Sequence, residues 1–441
     1  MGRKTVLMSS LVFFVVFSGA CGAAQTMNQL IVFRAFQGLG GSGVYALVMV
    51  VLFEMIPPSL FPRYTVLVTG LFAISLLCGP LLGGAICKNT TWRWVFLINA
   101  PAGVVGLLIL LSCMPNSFPY HGHSTQKYVY NFGKLDVVGA SSMLIGIALL
   151  ITGFQGASNF APWRSARVLV PLLVSLPAWI VFMGNERLVT LRGSDRPEPV
   201  FPWRFCKSRV VMGIFANAFL CGAVFTSCMI QIPLRFQAVN NESPWHAGVR
   251  LIPFGVAAPV GGALTAAIVK KRKVPVIYML FPAAILQILG LLFMSRLTLD
   301  NILWKGQYGL QFVTGIGCGI SMGVVTLMTP YAIEKRDLAT ATSAVVQIRV
   351  LGGALVLAIV TAVMNTDLRP TLTRMLSAQE LTRVFQAVGS IQSLSQPLST
   401  AVKDTFLKGN NNMQLRILVG FAAAEVPATV MMWQKDPVRV S

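Results

Sequence analysis

Arg34 lies within an apolar run, Leu30–Phe53, that is long enough to cross a bilayer as a helix. A charged side chain inside hydrocarbon is costly, so such residues normally face a helix bundle or an aqueous cavity. Gln37 follows one turn later and can hydrogen-bond across a gap between helices. The two residues are therefore candidates for a polar element inside a membrane. The alternative is that Arg34 extends to the outer headgroups, because it lies only one turn inside the run.

Glycines follow these polar residues and recur in the next apolar run. Three of them allow a neighbouring helix to approach closely, namely Gly38, Gly40 and Gly41. In the next run, one helix face has almost no side chains and includes a proline, which removes a backbone donor and kinks a helix. Its residues are Gly79, Pro80, Gly83 and Gly84. This pattern predicts a hinge or a seal, or a tightly packed helix without either role.

Glu425 is the only one of 14 acidic residues that lies well inside an apolar run. Glu54 and Asp136 lie at the ends of such runs. A carboxyl group inside a membrane can bind and release a proton, so Glu425 is a candidate proton site. The alternative is a buried, neutral, hydrogen-bonded acid without a role in transfer.

The composition indicates an all-α integral membrane protein. Hydrophobic residues make up 55% of the 441 residues and charged residues only 11%, whereas soluble domains have about 25% charged residues. Helices satisfy their own backbone hydrogen bonds and are the natural way to cross lipid. Runs of about 20 apolar residues predict twelve spans, near 5–24, 30–53, 66–86, 95–113, 135–154, 168–185, 210–232, 247–269, 275–294, 307–329, 339–364 and 415–433.

The basic residues predict the orientation of these spans. With a cytoplasmic N-terminus, 19 Lys and Arg residues fall in cytoplasmic segments and 7 in the short external loops. This bias places both termini in the cytoplasm. Two glycosylation sequons, at Asn89 and Asn241, fall on the external side. The net charge of +21 is spread over loops rather than gathered in a patch, which argues against nucleic-acid binding.

Several segments have more than one interpretation. The first span could be a cleaved secretory signal, and we favour a retained helix for the reason given below. The external stretch 366–413 has approximate helical spacing of apolar residues, which predicts a short helix on the outer surface, with disorder as the alternative. The eight cysteines and three histidines form neither a disulfide framework nor a metal site, and His121 with His123 is expected to be a solvated loop. No cofactor is expected.

Three motifs resemble those of the major facilitator superfamily, in particular its fourteen-helix drug:proton antiporter branch from fungi and bacteria. The first resembles the family's second conserved motif and comprises Leu30, Arg34, Gln37, Gly38, Gly40 and Gly41. The second is similar to the antiporter motif and comprises Gly79, Pro80, Gly83 and Gly84, with Ser75 where a glycine is expected. The third resembles the branch signature and comprises Trp92, Arg93, Trp94, Phe96, Ile98, Asn99 and Pro101.

The resemblance implies a helical bundle of the major facilitator type and a three-part chain. Residues 1–113 would be an N-terminal bundle of four spans, 114–208 two linker spans, and 209–441 a C-terminal bundle of six. The segment Gly2–Leu7 is similar to the tail of the family's first loop motif, so the chain is expected to lack the family's first two helices. This is why residues 5–24 are interpreted as a retained helix.

The resemblance also implies a function. The expected protein is a monomeric transporter in the plasma membrane that exports small hydrophobic compounds such as drugs, toxins or secondary metabolites. Two bundles would rock about a central cavity while protons move inward. Arg34 would sense charge in the cavity, Gln37 would be a further candidate for transport or proton coupling, and Glu425 would be the proton site.

Three other classes of protein compete with this interpretation. A membrane enzyme needs clustered catalytic side chains, and the histidines are dispersed. A channel needs a repeated ring of filter residues, which the sequence does not contain. The serious alternative is a truncated, non-transporting relative of such a transporter, because four helices leave half of the chain with unpaired packing faces.

Overall fold

The computed structural model of the chain describes residues 3–57, 60–115, 135–158, 163–191, 199–272, 275–297, 304–386, 391 and 394–434. These residues form α-helices joined mostly by short turns. In chain order the helices are α1 (Arg3–Ala23), α2 (Met27–Met55), α3 (Phe61–Asn89), α4 (Trp94–Leu97), α5 (Asn99–Cys113), α6 (Val137–Ser158), α7 (Ala166–Leu191), α8 (Arg204–Lys207), α9 (Arg209–Asn240), α10 (Pro244–Val249), α11 (Ile252–Arg272), α12 (Leu280–Met294), α13 (Gly306–Ala332), α14 (Leu338–Met375), α15 (Ala378–Gln386), α16 (Leu398–Gly409) and α17 (Arg416–Met431).

The helices agree with the spans that the sequence predicts. Within the described ranges, 11 helices are long and apolar enough to cross a bilayer. The remaining predicted span, 66–86, falls inside α3, a continuous helix of 29 residues. Two helices continue well past the predicted spans, because hydropathy detects only the apolar part of a helix. These are α9, which ends at Asn240, and α14, which ends at Met375.

Polar contacts fix the two ends of the bundle. At the end predicted to be cytoplasmic, Arg3 forms an ion pair with Glu54, 2.8 Å from Nη2 to Oε1. The ammonium of Lys4 donates there to the carbonyl of Met114 at 2.5 Å. At the opposite end, Arg93 donates to the carbonyl of Ala24 at 3.0 Å. The start of α1 therefore lies beside the ends of α2 and α5, so α1 runs in the opposite direction to both.

The helices of the second half share a continuous apolar core. α11 packs against α13, α9 against α14 and α17, and α12 against α13 and α17. One buried cluster lies toward the predicted cytoplasmic end, around Ile214, Leu280 and Val324. A second includes Phe236, Phe254 and Leu418. This core positions the buried polar groups described below.

The stretch 366–413, predicted to be external, forms more structure than the single short helix that its sequence predicts. The extension of α14, with α15 and α16, encloses its own cluster of buried side chains, including Leu372, Val384 and Phe406. Ala238 and Val239, at the end of α9, belong to the same cluster. The segment is therefore an outer cap seated on the bundle, and we call α15, α16 and the end of α14 the outer cap.

Helices of the first half contact those of the second at several places. α3 packs against α10 and α11, and α2 packs against α14. The α6–α7 pair also lies on α14, where Trp163 donates to the hydroxyl of Thr366 at 3.0 Å. The division of the chain at residues 113 and 208 stays a prediction.

The backbones of α9 and α14 approach each other so closely that they require glycine. A Cβ added at Gly352 would overlap the backbone of Phe219, and one added at Gly222 would overlap the carbonyl of Arg349. By contrast, Gly309 on α13 has open space at its Cβ position. Close contact of this kind is how helices gain packing energy in lipid.

We expect Gly352→Ala to destabilise the purified protein by about 1–3 kcal/mol through overpacking. Gly309→Ala should be neutral or stabilising, because alanine favours a helix by about 1 kcal/mol over glycine. Thermal unfolding of both variants in the same detergent measures the difference. Equal unfolding temperatures for the two variants would show that α9 and α14 are not in close contact.

Candidate transport site

Arg34 and Gln37 begin a polar chain that joins α2 to α1. Nη1 of Arg34 donates to Oε1 of Gln37 at 2.8 Å, and Nε2 of Gln37 donates to Oγ of Ser18 at 2.6 Å. Gln37 is 2% exposed and Ser18 is fully buried, whereas the side chain of Arg34 is exposed. The thiol of Cys21 adds a weaker contact to Gln37 at 3.8 Å. Gln37 therefore lies between α1 and α2, with Arg34 at the margin of this contact.

The tryptophan-containing motif closes the same chain from the other side. Asn99 donates through Nδ2 to Oγ of Ser18 at 3.2 Å, and Ser18 donates to the carbonyl of Phe96 at 3.0 Å. The guanidinium of Arg34 lies over the Phe96 ring, 5.4 Å from its centroid. Residues of two motifs that are far apart in sequence therefore meet at one serine, which the sequence does not single out.

The remaining residues of this motif lie at the end predicted to be external. Arg93 stacks over the Trp92 ring at 4.8 Å and binds the Ala24 carbonyl, so it ties α4 to the end of α1. Trp92 and Trp94 are 39% and 55% exposed, and Pro101 is exposed near the start of α5. Exposed tryptophans at a helix entry are typical of the bilayer interface.

The glycines of the first motif differ in what they contact. A Cβ at Gly40 would stand 2.6 Å from the backbone nitrogen of Phe14, so α1 passes directly over this residue. At Gly41 the Phe14 ring would lie at 3.4 Å from the added Cβ, and at Gly38 no described residue comes within 4 Å of it. The α1–α2 contact thus depends mainly on Gly40.

The glycine-proline motif lies in α3. In the described part of the chain, nothing comes within 4 Å of a Cβ placed at Gly79 or Gly83. Gly84 is partly buried in the same helix, and the helix continues through Pro80 without a break. The open face of α3 is compatible with the predicted hinge or seal, which stays a prediction.

Glu425 is fully buried in α17 and bonded to two other helices. Its Oε2 accepts from Nε2 of Gln287 on α12 at 3.0 Å and from Oγ of Ser321 on α13 at 2.8 Å. Gln287 also donates to Ser321 at 3.1 Å. Oε1 of Glu425 is buried without a hydrogen-bond partner, and no cation in the described ranges forms an ion pair with this carboxyl group.

A second layer of polar side chains lies one turn away from Glu425. Thr429 donates to the carbonyl of Glu425 at 2.7 Å and to Oδ1 of Asn217 on α9 at 3.3 Å. Asn217 in turn donates to the carbonyl of Gly213 at 2.9 Å. Asn217, Thr429, Gln287, Ser321 and Glu425 are all fully buried. They form a buried polar cluster that links α9, α12, α13 and α17, and we call it the Glu425 cluster.

Arg349 connects the two halves of the chain. It lies on α14, is 7% exposed, and donates through Nη2 to the hydroxyl of Tyr45 on α2. The described residues provide no carboxylate partner for it. A charged group between α2 and α14 is placed where a relative motion of the two halves would break or remake its contact.

The structure reveals a carboxyl pair that sequence reasoning missed. Glu186 on α7 is fully buried, and its Oε2 accepts from the backbone nitrogen of Phe201 at 3.1 Å. Asp136 is 7% exposed and accepts a hydrogen bond from Asn185 at 2.9 Å. Both carboxyl groups lie against the position that a Cβ added at Gly139 would occupy. Glu186 escaped notice because the predicted span stops at residue 185, whereas α7 continues to Leu191.

Arg235 is a second residue that sequence reasoning placed wrongly. It was expected in an external loop, but α9 runs to Asn240 and leaves Arg235 only 4% exposed. Its Nη2 donates to Oε1 of Gln307 on α13 at 2.8 Å. Polar residues recur every four positions on α9, at Ser227, Gln231 and Arg235. This helical spacing was the available indication that the helix continues.

Metal and glycan sites add little to the candidate site. Over the residues that the structure describes, no three His, Cys, Asp or Glu side chains come together as a metal site. His121 and His123 lie outside those residues. The two sequon residues, Asn89 and Asn241, are both exposed at helix ends.

The sequence is similar to those of known transporters. Residues 1–357 match the family model described as Major Facilitator Superfamily. The chain is 34% identical over 99% of its length to the MFS-type transporter FPY5 of Fusarium mangiferae, of which it spans 73%. It is 28% identical over 78% of its length to multidrug resistance protein 3 of Bacillus subtilis (strain 168), of which it spans 63%. It is 27% identical over 98% of its length to the efflux pump bfoC of Aspergillus brasiliensis, of which it spans 75%.

Solved structures share the fold. The human organic anion transporter MFSD10 (TETRAN) superposes with a TM-score of 0.56 at 13% identity, over 98% of this chain and 77% of that one. A bacterial homolog of the human lysosomal transporter Spinster, inward-facing and unoccupied, gives a TM-score of 0.51 at 14% identity, over 99% of this chain and 85% of that one. The fold and the family match agree with the motifs around Arg34 and Trp92, and the chain belongs to the Major Facilitator Superfamily of membrane transporters.

Proposed function

We propose that this protein exports small hydrophobic organic compounds by exchanging them for protons, through alternating access of a central cavity to the two sides of the membrane. The observation that carries the proposal is Glu425, a fully buried carboxyl group for which the described residues provide a hydrogen-bond partner to only one oxygen and no ion-pair partner. The fold places this group on a helix that contacts α9 and α12. We further propose a monomer in the plasma membrane.

The surroundings of Glu425 suit a group that binds a proton and later releases it. Ionising a carboxyl group that is buried without a cation costs several kcal/mol. The bonds from Gln287 and Ser321 offset only part of this cost, because they contact one of its two oxygens. Access of water to the cluster would therefore allow the proton to leave, and closure of the cluster would favour its return. This coupling of hydration to protonation is what an antiporter requires.

Contacts between the two halves support alternating access. They run along α3 with α11 and along α2 with α14. Two polar links in the described residues join the halves, Arg349 with Tyr45 and Trp163 with Thr366. Such an interface can exchange between two packings at low cost, as rocking-bundle transporters require.

Arg34 and Gln37 supply the second polar element of the proposal. Gln37 is held by Ser18, while the guanidinium of Arg34 remains exposed and stacks on Phe96. An exposed guanidinium on a spanning helix is costly in lipid and is stable where it meets water, headgroups or another charged group. We propose that Arg34 responds to the charge carried through the cavity and that Gln37 holds it in position.

The names of the relatives support the substrate class. One is a multidrug resistance protein and another an efflux pump. The chain spans between 62% and 75% of the lengths of eight such relatives, so the activity of those longer proteins comes to this chain only as a proposal. Hydrophobic compounds fit a chain in which 55% of all residues are hydrophobic.

We expect Glu425→Gln to abolish proton-driven export while retaining substrate binding. Glutamine has the same shape and can still accept from Ser321, but it cannot exchange a proton. The assay is uptake of ethidium, a permanent cation, and of a panel of hydrophobic drugs into proteoliposomes with an acidic lumen. The variant should lower the initial rate at least about tenfold, with binding changed by less than about twofold.

Glu380→Gln is the matched control for this experiment. Hydrogen bonds from the Ser377 side chain and backbone lower the pKa of Glu380, which lies on α15, outside the Glu425 cluster. It should transport like the wild type. A wild-type rate for Glu425→Gln would rule out this acid as the proton site. Failure of the wild type on every compound of the panel would rule out the export function.

A second pair of variants tests the charge of Arg34. Arg34→Gln should slow proton-driven uptake at least about tenfold, and Arg34→Lys should stay within about threefold of wild type because it keeps the charge. Arg296→Gln, which removes an exposed arginine just after α12, is the control. If Arg34→Gln transports as fast as Arg296→Gln, then Arg34 has no role in the cavity.

A further inference from the structure

Arg235 differs from three other arginines near the ends of the bundle. Arg3, Arg204 and Arg250 each form an ion pair with a carboxylate, whose partners are Glu54, Asp337 and Glu242. Arg235 is more deeply buried than any of these three and has no acid partner in the described part of the chain. A buried cation that lacks a counter-charge is strongly unfavourable, so something must compensate it.

The protein groups around Arg235 compensate it only in part. Nη2 donates to Gln307, which is fully buried, and the guanidinium lies 5.4 Å from the centroid of the Phe236 ring. Nε is buried and has no hydrogen-bond partner among the described residues. Neutral amide and aromatic contacts leave the positive charge itself unmatched.

Arg250 increases the local positive charge. Its guanidinium lies over the same Phe236 ring, at 5.3 Å, so two cations share one aromatic side chain. Glu242 pairs with Arg250 and with His246, at 3.8 Å to the latter, and it does not reach Arg235. Two guanidinium groups and one carboxylate therefore leave an uncompensated charge at this place.

A cavity adjoins Arg235. It measures about 70 Å³ and lies between α9, α14 and the outer cap. Gln231 and Gln414 line it together with Arg235, and the rest of its wall is apolar, including Met364 and Phe406. At about 15 Å³ for each water-sized probe, this space suits a group of a few non-hydrogen atoms. It is too small for a drug-sized molecule.

We propose that this cavity is a binding site for a small monovalent anion, either chloride or the carboxylate of a small organic acid. The anion would contact the guanidinium of Arg235, and Gln231 and Gln414 supply the polar part of the remaining wall. It supplies the counter-charge that the described residues do not. Because Phe406 of the outer cap forms part of the wall, a bound anion also fastens the cap to α9.

The purified full-length chain in lipid nanodiscs allows a direct test. Thermal unfolding is followed in sodium chloride, sodium acetate and sodium gluconate at equal ionic strength. We expect chloride, acetate or both to raise the unfolding temperature by about 2 °C or more over gluconate, because a ligand that binds the folded state stabilises it. A response to chloride alone identifies a halide site, and a response to acetate alone identifies a carboxylate site.

Arg296→Gln, which removes an exposed arginine just after α12, is the control for Arg235→Gln. The control should keep the anion response and Arg235→Gln should lose it. Ala238→Leu fills the cavity while leaving Arg235 in place, and it should lose the response as well. This second variant decides the question if Arg235→Gln does not fold.

Equal unfolding temperatures of the wild type in all three salts would overturn the proposal. So would an anion response that persists in Ala238→Leu. Equilibrium dialysis of the wild type with radiolabelled chloride and acetate should show saturable binding of one anion per chain. Because none of these measurements involves transport, failure of the anion site and failure of the export function are distinguishable.

Discussion

The structure depends on one constraint, which is that polar groups within the bilayer must find partners inside the protein. Backbone groups meet this requirement by forming helices. Side chains meet it by converging, as Gln37, Ser18 and Asn99 do in the first half and as Gln287, Ser321 and Glu425 do in the second. Glycines such as Gly40 and Gly352 allow the helices to come close enough for these contacts. Packing and polar bonding are therefore two consequences of the same requirement.

The two halves of the chain meet this constraint to different degrees. In the most apolar segment of α13, 83% of the residues are buried, and in that of α9 the share is 72%. In the segment formed by α4 and α5, from Trp94 to Cys113, the share is only 6%. The second half is therefore a densely packed bundle whose polar clusters are sealed by its own helices. Helices of the first half present apolar side chains outward, where lipid or other helices can cover them. Arg34 lies at the edge of the α1–α2 contact and is exposed because the helices of the first half leave this edge uncovered.

Much of the fold was predictable because hydropathy has a fixed length scale in a membrane. The predicted spans coincide with helices, and the motifs around Arg34 and Trp92 identified the superfamily, which the family match confirms. The sequence could also single out Glu425, because an acid deep inside an apolar run is conspicuous. It could not show which side chains would meet it, since Gln287 and Ser321 lie on other helices and are unremarkable in their own runs. Convergence of distant helices is a tertiary property that local patterns do not encode.

The residues that sequence reasoning missed have a common physical cause. Glu186 and Arg235 both lie in the last turns of helices that extend beyond their apolar runs. Charged residues end an apolar run, so a prediction from hydropathy leaves these last turns out of the span. It therefore assigns their charged residues to loops. In the structure the same turns are covered, Glu186 by the segment around Phe201 and Arg235 by the outer cap. A buried charge at a helix end is thus found only when the structure shows what covers that end.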